Sequence, residues 1–126
     1  MEPIIEFKGY QINKLFYGRI ESDQSNPEEP KLQRKVSIGL SEDKKQGIVI
    51  LNVIMTDVEE QRKIDIEVVG EFDIQKDLEE EKIEQVLSVN GVALVYPYIR
   101  SIISMVSSLD SDSAMVIPTI NTKIYE

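Results

Sequence analysis

Apolar residues recur at helical spacing late in the chain, between Asn90 and Leu109. Steps of four and three residues place one set of them along a single stripe of an α-helix. That stripe consists of Val95, Ile99, Ile102, Val106 and Leu109. Three more residues widen it into a broad apolar face: Leu94, Tyr98 and Met105. Pro97 either starts the regular helix or kinks it. The pattern predicts a helix over Ala93–Ser108 that lies on a sheet.

The residues before this helix alternate between apolar and polar side chains, which is typical of β-strands. The predicted strands are Ile4–Ile20, Arg34–Leu40, Gly47–Val58 and Arg62–Ile74. Gly9 and Gly18 are candidate bulge positions in the long first strand. Short polar links favour an antiparallel meander for the last three strands, and the longer polar link 21–31 favours a crossover. A shorter helix over Asp77–Val89 ends at a break predicted for Asn90-Gly91.

The third predicted strand is apolar on both faces, so it needs cover on both faces. Ile48, Ile50 and Ile54 share one face, and the other face carries Val49, Leu51, Val53 and Met55. Two helices cover only one face of a small sheet, so the second face either meets another subunit or forms an open apolar surface. The residues that we assign to that second face, as an oligomer interface, are Val49, Leu51, Val53 and Met55. A groove for apolar peptides is the alternative.

Composition narrows the class of protein. A chain of 126 residues fits a single domain, 1–126, and its 41% apolar content is enough for a core. A formal net charge of −9 repels nucleic-acid phosphates and anionic membrane surfaces, so neither is an expected partner. No apolar run is expected to span a membrane. The start of the chain lacks the basic region of a signal peptide, which favours a cytoplasmic location.

The sequence offers little catalytic chemistry. It contains no histidine and no cysteine, which removes the commonest general base and the usual zinc ligands. Its six glycines form neither a P-loop nor a dinucleotide fingerprint. Asp110 and Asp112 are spaced like the start of a calcium loop, but the position for the downstream carboxylate is Asn121, so a plain turn is favoured. We expect no enzyme activity, no catalytic residue, no cofactor and no metal.

Four segments, in order, resemble the SecB family of protein-export chaperones. The helix is similar to the family's aromatic-Pro-Tyr-x-Arg helix, and the residues that match are Tyr96, Pro97, Tyr98 and Arg100. Gly70–Ile74 is similar to the Gly-x-Phe-x-Ile end of a family strand. Pro118, Ile124 and Tyr125 match a proline followed by an aliphatic-aromatic pair. Val36, Ile38 and Leu40 follow the alternation of the family's second strand.

The resemblance implies an α+β fold, a four-stranded antiparallel sheet with two helices on one face. It implies a homotetramer built as a dimer of dimers. It also implies an ATP-independent holdase that binds unfolded or exported polypeptides, or an antitoxin, in apolar surface grooves. The alternative is a non-catalytic oligomeric interaction domain of the same fold that binds one defined protein partner.

Aromatic side chains suit such grooves because they bring large apolar area with few rotatable bonds. The candidate client-binding residues are Tyr10, Phe16, Tyr17, Tyr96, Tyr98 and Tyr125. Tyr125 matches the family's groove aromatic and is the first choice, whereas Tyr98, on the main helical stripe, is most readily explained as a core residue.

The resemblance also bears on docking to the export motor. Asp23 and Asp65 fall near two acidic positions with which the family contacts the motor, but Arg19 and Lys63 occupy others. The tail that the motor's zinc-binding domain recognises has no match in this sequence. These departures from the family weigh against docking on the export motor.

Overall fold

Four antiparallel strands form one sheet in a computed structural model, which describes residues 3–21 and 32–117. The strands are β1 (Ile5–Arg19), β2 (Leu32–Leu40), β3 (Gln46–Asp57) and β4 (Arg62–Ile74). Their order across the sheet is β1-β4-β3-β2. The four predicted strands and the meander β2-β3-β4 are confirmed. Because β1 and β2 lie at opposite edges, the link between them is a crossover, and its residues 22–31 lie outside the described part.

Two irregularities in β1 decide which of its side chains face the helices. The register of β1 on β4 shifts between Phe7 and Gly9 and again between Ile12 and Lys14. Each shift changes the phase of the alternation by one residue, so the helix side of the sheet carries odd-numbered residues before the first shift, even-numbered ones between the two shifts and odd-numbered ones after the second. These residues are Ile5, Phe7, Tyr10, Ile12, Leu15 and Tyr17. Gly9 takes a φ of 136° at the first bulge, which favours glycine there; Gly18 lies in regular pairing.

A continuous helical stretch packs on one face of this sheet. It consists of α1 (Glu80–Val86), a π-helical turn (Leu87–Gly91) and α2 (Val92–Ser108). The predicted break at Asn90-Gly91 is wrong, because the chain stays helical through both residues. Gly91 serves close packing instead, since a Cβ there would lie 2.9 Å from Cγ2 of Val49.

The same stretch meets the length and composition of a membrane span. Glu80–Ser108 covers 29 residues, which contradicts the expectation that no run was long enough. The expectation failed because it treated α1 and α2 as separate helices. A core helix passes the same test, and just under half of the most apolar window is buried inside the chain.

The core lies between the sheet and the helical stretch. Val49, Leu51 and Val53 are fully buried in it, and Met55 packs against it. The assignment of Val49, Leu51 and Val53 to an oligomer interface is therefore wrong, because side chains fully buried within one chain do not reach another subunit. Met55 is half-buried on the same helix-covered face. The register shows why. Leu51 pairs with Val68 and Val53 with Ile66, so the apolar face of β4 selects this face of β3 for the helices. The open face of β3 is the one that carries Ile48, Ile50 and Ile54.

Candidate functional site

Six exposed apolar side chains of β1 and α2 form one surface on the helix side of the sheet. Each is between 37% and 59% exposed. We call this surface the β1–α2 patch, and it consists of Tyr10, Ile12, Leu15, Leu94, Tyr98 and Met105. Exposed apolar residues that gather in one place, rather than singly, mark an interaction site.

The patch exists because α2 does not extend over the edge strand. Two contacts fix β1 alongside α2: the rings of Tyr10 and Tyr98 lie 4.6 Å apart, and the hydroxyl of Tyr17 donates to Asp110 at 2.8 Å. Ile12 and Leu15 lie between these two anchors on the helix side of β1. They remain exposed because α2 buries its inner residues over the central strands.

A chain of aromatic contacts ties the patch to the core. The ring of Phe72, which is buried, lies 5.3 Å from that of Phe7, and Phe7 lies 5.6 Å from Tyr98. Tyr98 then contacts Tyr10. All three pairs are tilted, within the range of favourable aromatic contacts. The exposed pair is thus held by packing, so a ligand would freeze little side-chain motion on binding it.

A groove borders the patch on the other side of α2. It has a volume of about 530 Å³ and lies between α2 and the segment that follows it. We call it the α2 groove, and its lining is Pro97, Arg100, Ser101, Ser104, Met105, Val116 and Ile117. Because Met105 belongs to both, the β1–α2 patch and the α2 groove are continuous across the crest of the helix.

Buried Arg62 fixes the segment after α2, which forms the wall of this groove opposite the helix. Its Nε donates to the carboxylate of Asp57 at 2.9 Å, and its guanidinium also donates to the carbonyl oxygen of Ser113. Burial lowers the pKa of Arg62, but hydrogen bonds with Tyr17 and Asp57 and the charge of Glu60 outweigh it, so the pKa is raised. Arg62 therefore remains charged and links the β3–β4 turn to the segment after α2.

The structure brings two of the predicted client-binding residues together, Tyr10 and Tyr98. Tyr98, which the helical pattern placed in the core, is exposed on the patch. Phe16 is 51% exposed, but it lies on the face of the sheet away from the helices, where it pairs with Asp65 of β4. Tyr17 is half-buried, with its hydroxyl bonded to Asp110. Tyr125 lies outside the described residues.

The assignment of Tyr96 to client binding is wrong. Its side chain is only 1% exposed, and its hydroxyl accepts hydrogen bonds from Nε and the terminal nitrogen of Arg34, at 3.2 and 3.0 Å. The guanidinium also lies 5.4 Å from the ring centroid. This arrangement satisfies a buried hydroxyl and fixes β2 to α2, which is a structural role.

Two members of the patch, Ile12 and Leu15, were missed as site residues, and two more, Leu94 and Met105, were assigned to the sheet-facing side of the helix. The apolar face of α2 is wider than its contact with the sheet. That excess width was the feature of the sequence that could have indicated exposed apolar residues on the helix. For β1, the corresponding feature was the change in phase of its apolar–polar alternation, which results from the two bulges and places Ile12 and Leu15 on the helix side. Within residues 3–21 and 32–117, no three acidic side chains gather into a group that could hold a metal ion.

Two solved structures are similar in fold to most of this chain. One is the SecB-like chaperone Rv1957 of Mycobacterium tuberculosis, in complex with a ChAD peptide from the Rv1956 HigA1 antitoxin. It has a TM-score of 0.71 and 12% sequence identity, and the match covers 93% of this chain and 88% of that one. The other is a protein of unknown function from Streptococcus agalactiae, with a TM-score of 0.73, 14% identity, and coverage of 90% and 96%. No protein-family model and no curated protein matches the sequence.

These comparisons define the class of fold. The chain has a SecB-like α+β fold, and the resemblance expected from the sequence is confirmed at that level. The helices differ in detail from the expected pair, because a π-helical turn joins them into one stretch.

Proposed function

We propose that this protein is a non-catalytic chaperone that holds an extended, apolar segment of another polypeptide on the β1–α2 patch. The client is an unfolded chain or an antitoxin. The observation that carries the proposal is the patch itself, six exposed apolar side chains on a rigid aromatic support. The SecB-like chaperone from M. tuberculosis, which has the same fold, was solved with an antitoxin peptide bound, and this supports the choice of client.

Burial of apolar area supplies the free energy of such binding, so no nucleotide is needed. Each square ångström removed from water contributes about 25 cal/mol, before the costs of ordering the client. Tyr10 and Tyr98 offer flat apolar area that is already ordered, which reduces the cost on the protein's side. Side chains of a client that alternate in an extended segment would rest on the patch and in the α2 groove.

We further propose that the protein works as a homo-oligomer in which two copies meet along β1. In the described part of the chain β1 pairs only with β4, so its outer edge is open. Both bulges lie before Lys14, and the register from Lys14 to Arg19 is regular. Pairing along this regular part would join two sheets and set two β1–α2 patches side by side. A tetramer and the cytoplasmic location stay predictions, and docking on an export motor is not proposed.

The client site is tested with the double variant Tyr10→Ala/Tyr98→Ala. We expect it to lose the ability to suppress aggregation of a chemically denatured test protein, followed by light scattering. The matched control is Phe16→Ala, which removes an exposed aromatic ring from the opposite face and should leave holding unchanged. If the double variant folds, keeps its oligomeric state and still holds the client, the site is wrong.

The alternative function is an interaction domain for one defined partner. A panel of unrelated denatured proteins separates the two: a holdase protects several of them, whereas a dedicated partner domain protects none. The oligomer is tested by light scattering at micromolar concentration, where a species of 14.4 kDa, the mass of one chain, would contradict it.

A further inference from the structure

The segment that follows α2, residues 113–117, runs along the wall of the α2 groove after a bend at Ser113, and its burial alternates as in an extended chain. Its side chains alternate between the two sides: Met115 and Ile117 are buried, whereas Val116 is 66% exposed. It pairs with no strand of the sheet in the described part of the chain. We call it the ridge.

Three side chains hold the ridge by its backbone. Arg62 donates to the carbonyl of Ser113, Nε of Arg100 donates to the carbonyl of Ile117 at 3.3 Å, and the N–H of Met115 donates to Oγ of Ser107 at 2.7 Å. All three anchored groups belong to alternate residues. In an extended chain the N–H and C=O of one residue point to the same edge, and those of the next residue point to the opposite edge. The anchors therefore occupy one edge of the ridge.

The opposite edge of the ridge has no backbone partner among residues 3–21 and 32–117. It carries the N–H and C=O groups of Ala114 and Val116, which make no backbone hydrogen bond within the described residues. An exposed edge with regularly spaced donors and acceptors is a template for pairing with another extended chain.

Apolar recesses lie on both sides of this edge. The α2 groove is on one side. On the other side a recess of about 270 Å³ lies between the ridge and the β3–β4 turn, where Met55, Val58 and Met115 contribute apolar surface. Val116 lines both recesses. A paired segment would place its alternate side chains into recesses of this kind.

The charge of the groove also selects its occupant. Arg100 lines the α2 groove and makes no ion pair with any described residue. The hydrogen bond from Arg100 to the ridge uses only Nε, and its two terminal nitrogens make no hydrogen bond within the described part of the chain, so they are available for a carboxylate. In a chain of net charge −9, such a cation in an apolar groove favours a client segment that carries an acidic residue.

We propose that the open edge of the ridge holds the client by backbone pairing, with a carboxylate of the client on Arg100. The occupant is an extended polypeptide segment with alternate apolar side chains and one Asp or Glu. This inference rests on the proposed polypeptide-binding function, and it names the class of segment that is bound and the way its backbone is read.

The probe is a capped seven-residue peptide of alternating threonine and valine with one central glutamate. It is compared with two forms, N-methylated at odd or at even positions. Pairing with one edge uses the N–H groups of alternate residues only. We therefore expect one form to bind about tenfold or more weakly and the other to stay within about threefold of the parent. Equal loss in both forms, or no binding of the parent peptide, overturns the inference.

The carboxylate is tested in the peptide, because changing Arg100 would also release Ile117. Glutamine in place of glutamate should weaken binding about three- to tenfold at low salt. The difference should shrink at 1 M salt, where charges are screened within about 3 Å. An unchanged affinity would remove Arg100 from the proposal.

Variants of the protein separate this inference from the proposed function. Val116→Pro removes one backbone N–H from the outer edge of the ridge, and this variant should bind the parent peptide more weakly. Val116→Thr keeps that donor, and this variant should bind the parent peptide with the affinity of wild type. Suppose that the two N-methylated peptides bind with equal affinity, while Tyr10→Ala/Tyr98→Ala abolishes holding of denatured protein. Backbone pairing on the ridge is then wrong, and the proposed function stands. If the positional effect is present but wild type protects no denatured protein, the proposed function is wrong and the ridge stands.

Discussion

The rings of Tyr10 and Tyr98 lie 4.6 Å apart across the junction of β1 and α2, and both are exposed to solvent. The contact is the only described ring pair in which neither ring is buried or half-buried, and it joins the edge strand to the helix. Two large apolar rings exposed side by side lower the solubility of a protein, so their presence here favours a role in binding. Their contact also makes a measurable contribution to stability.

A double-mutant cycle measures that contribution. We expect Tyr10→Ala and Tyr98→Ala to show a coupling of about 0.5–1.5 kcal/mol in the free energy of unfolding, because each substitution removes the same ring contact. Urea unfolding gives the four values. The control cycle pairs Tyr10→Ala with Phe16→Ala, on the opposite face, and should be additive within about 0.5 kcal/mol. Additivity in the first cycle would contradict the packed pair.

Arg62→Met should destabilise the fold by about 2–4 kcal/mol, because Arg62 is buried and its loss leaves the carbonyl of Ser113 without its donor. Urea unfolding measures the change, and amide exchange at Met115 should become faster as the ridge loosens. The control is Arg19→Met, which removes an exposed ion pair with Asp110 and should cost less than about 1 kcal/mol. Equal effects of the two substitutions would remove the special role of Arg62.

Gly70→Ala should destabilise the protein by about 1–3 kcal/mol. A Cβ at this position would overlap Cγ2 of Val95, because α2 lies directly over β4 there. The double variant Gly70→Ala/Val95→Ala removes the obstructing methyl group and should be less destabilised than the sum of the two single variants. Thermal or urea unfolding of the set decides this, and simple additivity would mean that the helix shifts freely.

Asp65 should make stability depend on pH. Burial raises the pKa of Asp65, but hydrogen bonds from Lys14 and Asn52 outweigh it and hold the pKa below its usual range. A lowered folded-state pKa means that the unfolded chain binds the proton more readily. The stabilisation is therefore complete above the unfolded value of about 3.9 and is lost as the pH falls through the folded value.

Asp65→Asn should thus be less stable than wild type at pH 7, by about 1 kcal/mol, with the difference shrinking towards pH 3. Urea midpoints at the two pH values test this. Asp112→Asn, at an exposed position, provides the baseline for loss of one negative charge. A difference that is the same at both pH values would contradict the assigned role of Asp65.

The strands were predictable because their signal is local. β4 begins at Arg62 and ends at Ile74 in both prediction and structure, since its alternation, broken only at Val69, leaves one mainly apolar face. The helical region was harder. Asn90-Gly91 favours a break when read locally, but packing of Gly91 against Val49 keeps the chain helical. Glycine disfavours the interior of a helix by only about 1 kcal/mol relative to alanine, so tertiary packing overrides this local preference.

The candidate site was predictable only in part, because exposure depends on what covers a side chain. Tyr96 and Tyr98 are two residues apart and share one sequence motif. Tyr96 points towards Arg34 of β2 and is buried, whereas Tyr98 points towards Tyr10 of the edge strand and stays exposed. The ridge could not be found from sequence, since its anchors Arg62 and Arg100 act on it through the fold.

By itself, the sequence determined the four strands and, to within one residue, the bounds of α2, because alternation and helical spacing are properties of neighbouring residues. Packing decided that α1 and α2 join into one helical stretch. Only the tertiary structure decided which face of β3 is covered. β3 is apolar on both faces, so the choice fell to its partner: Val68 and Ile66 of β4 are apolar on one face only, and pairing in register carried Leu51 and Val53 under the helices. The same packing left the edge strand uncovered, because one helix is narrower than a four-stranded sheet, and thereby created the β1–α2 patch.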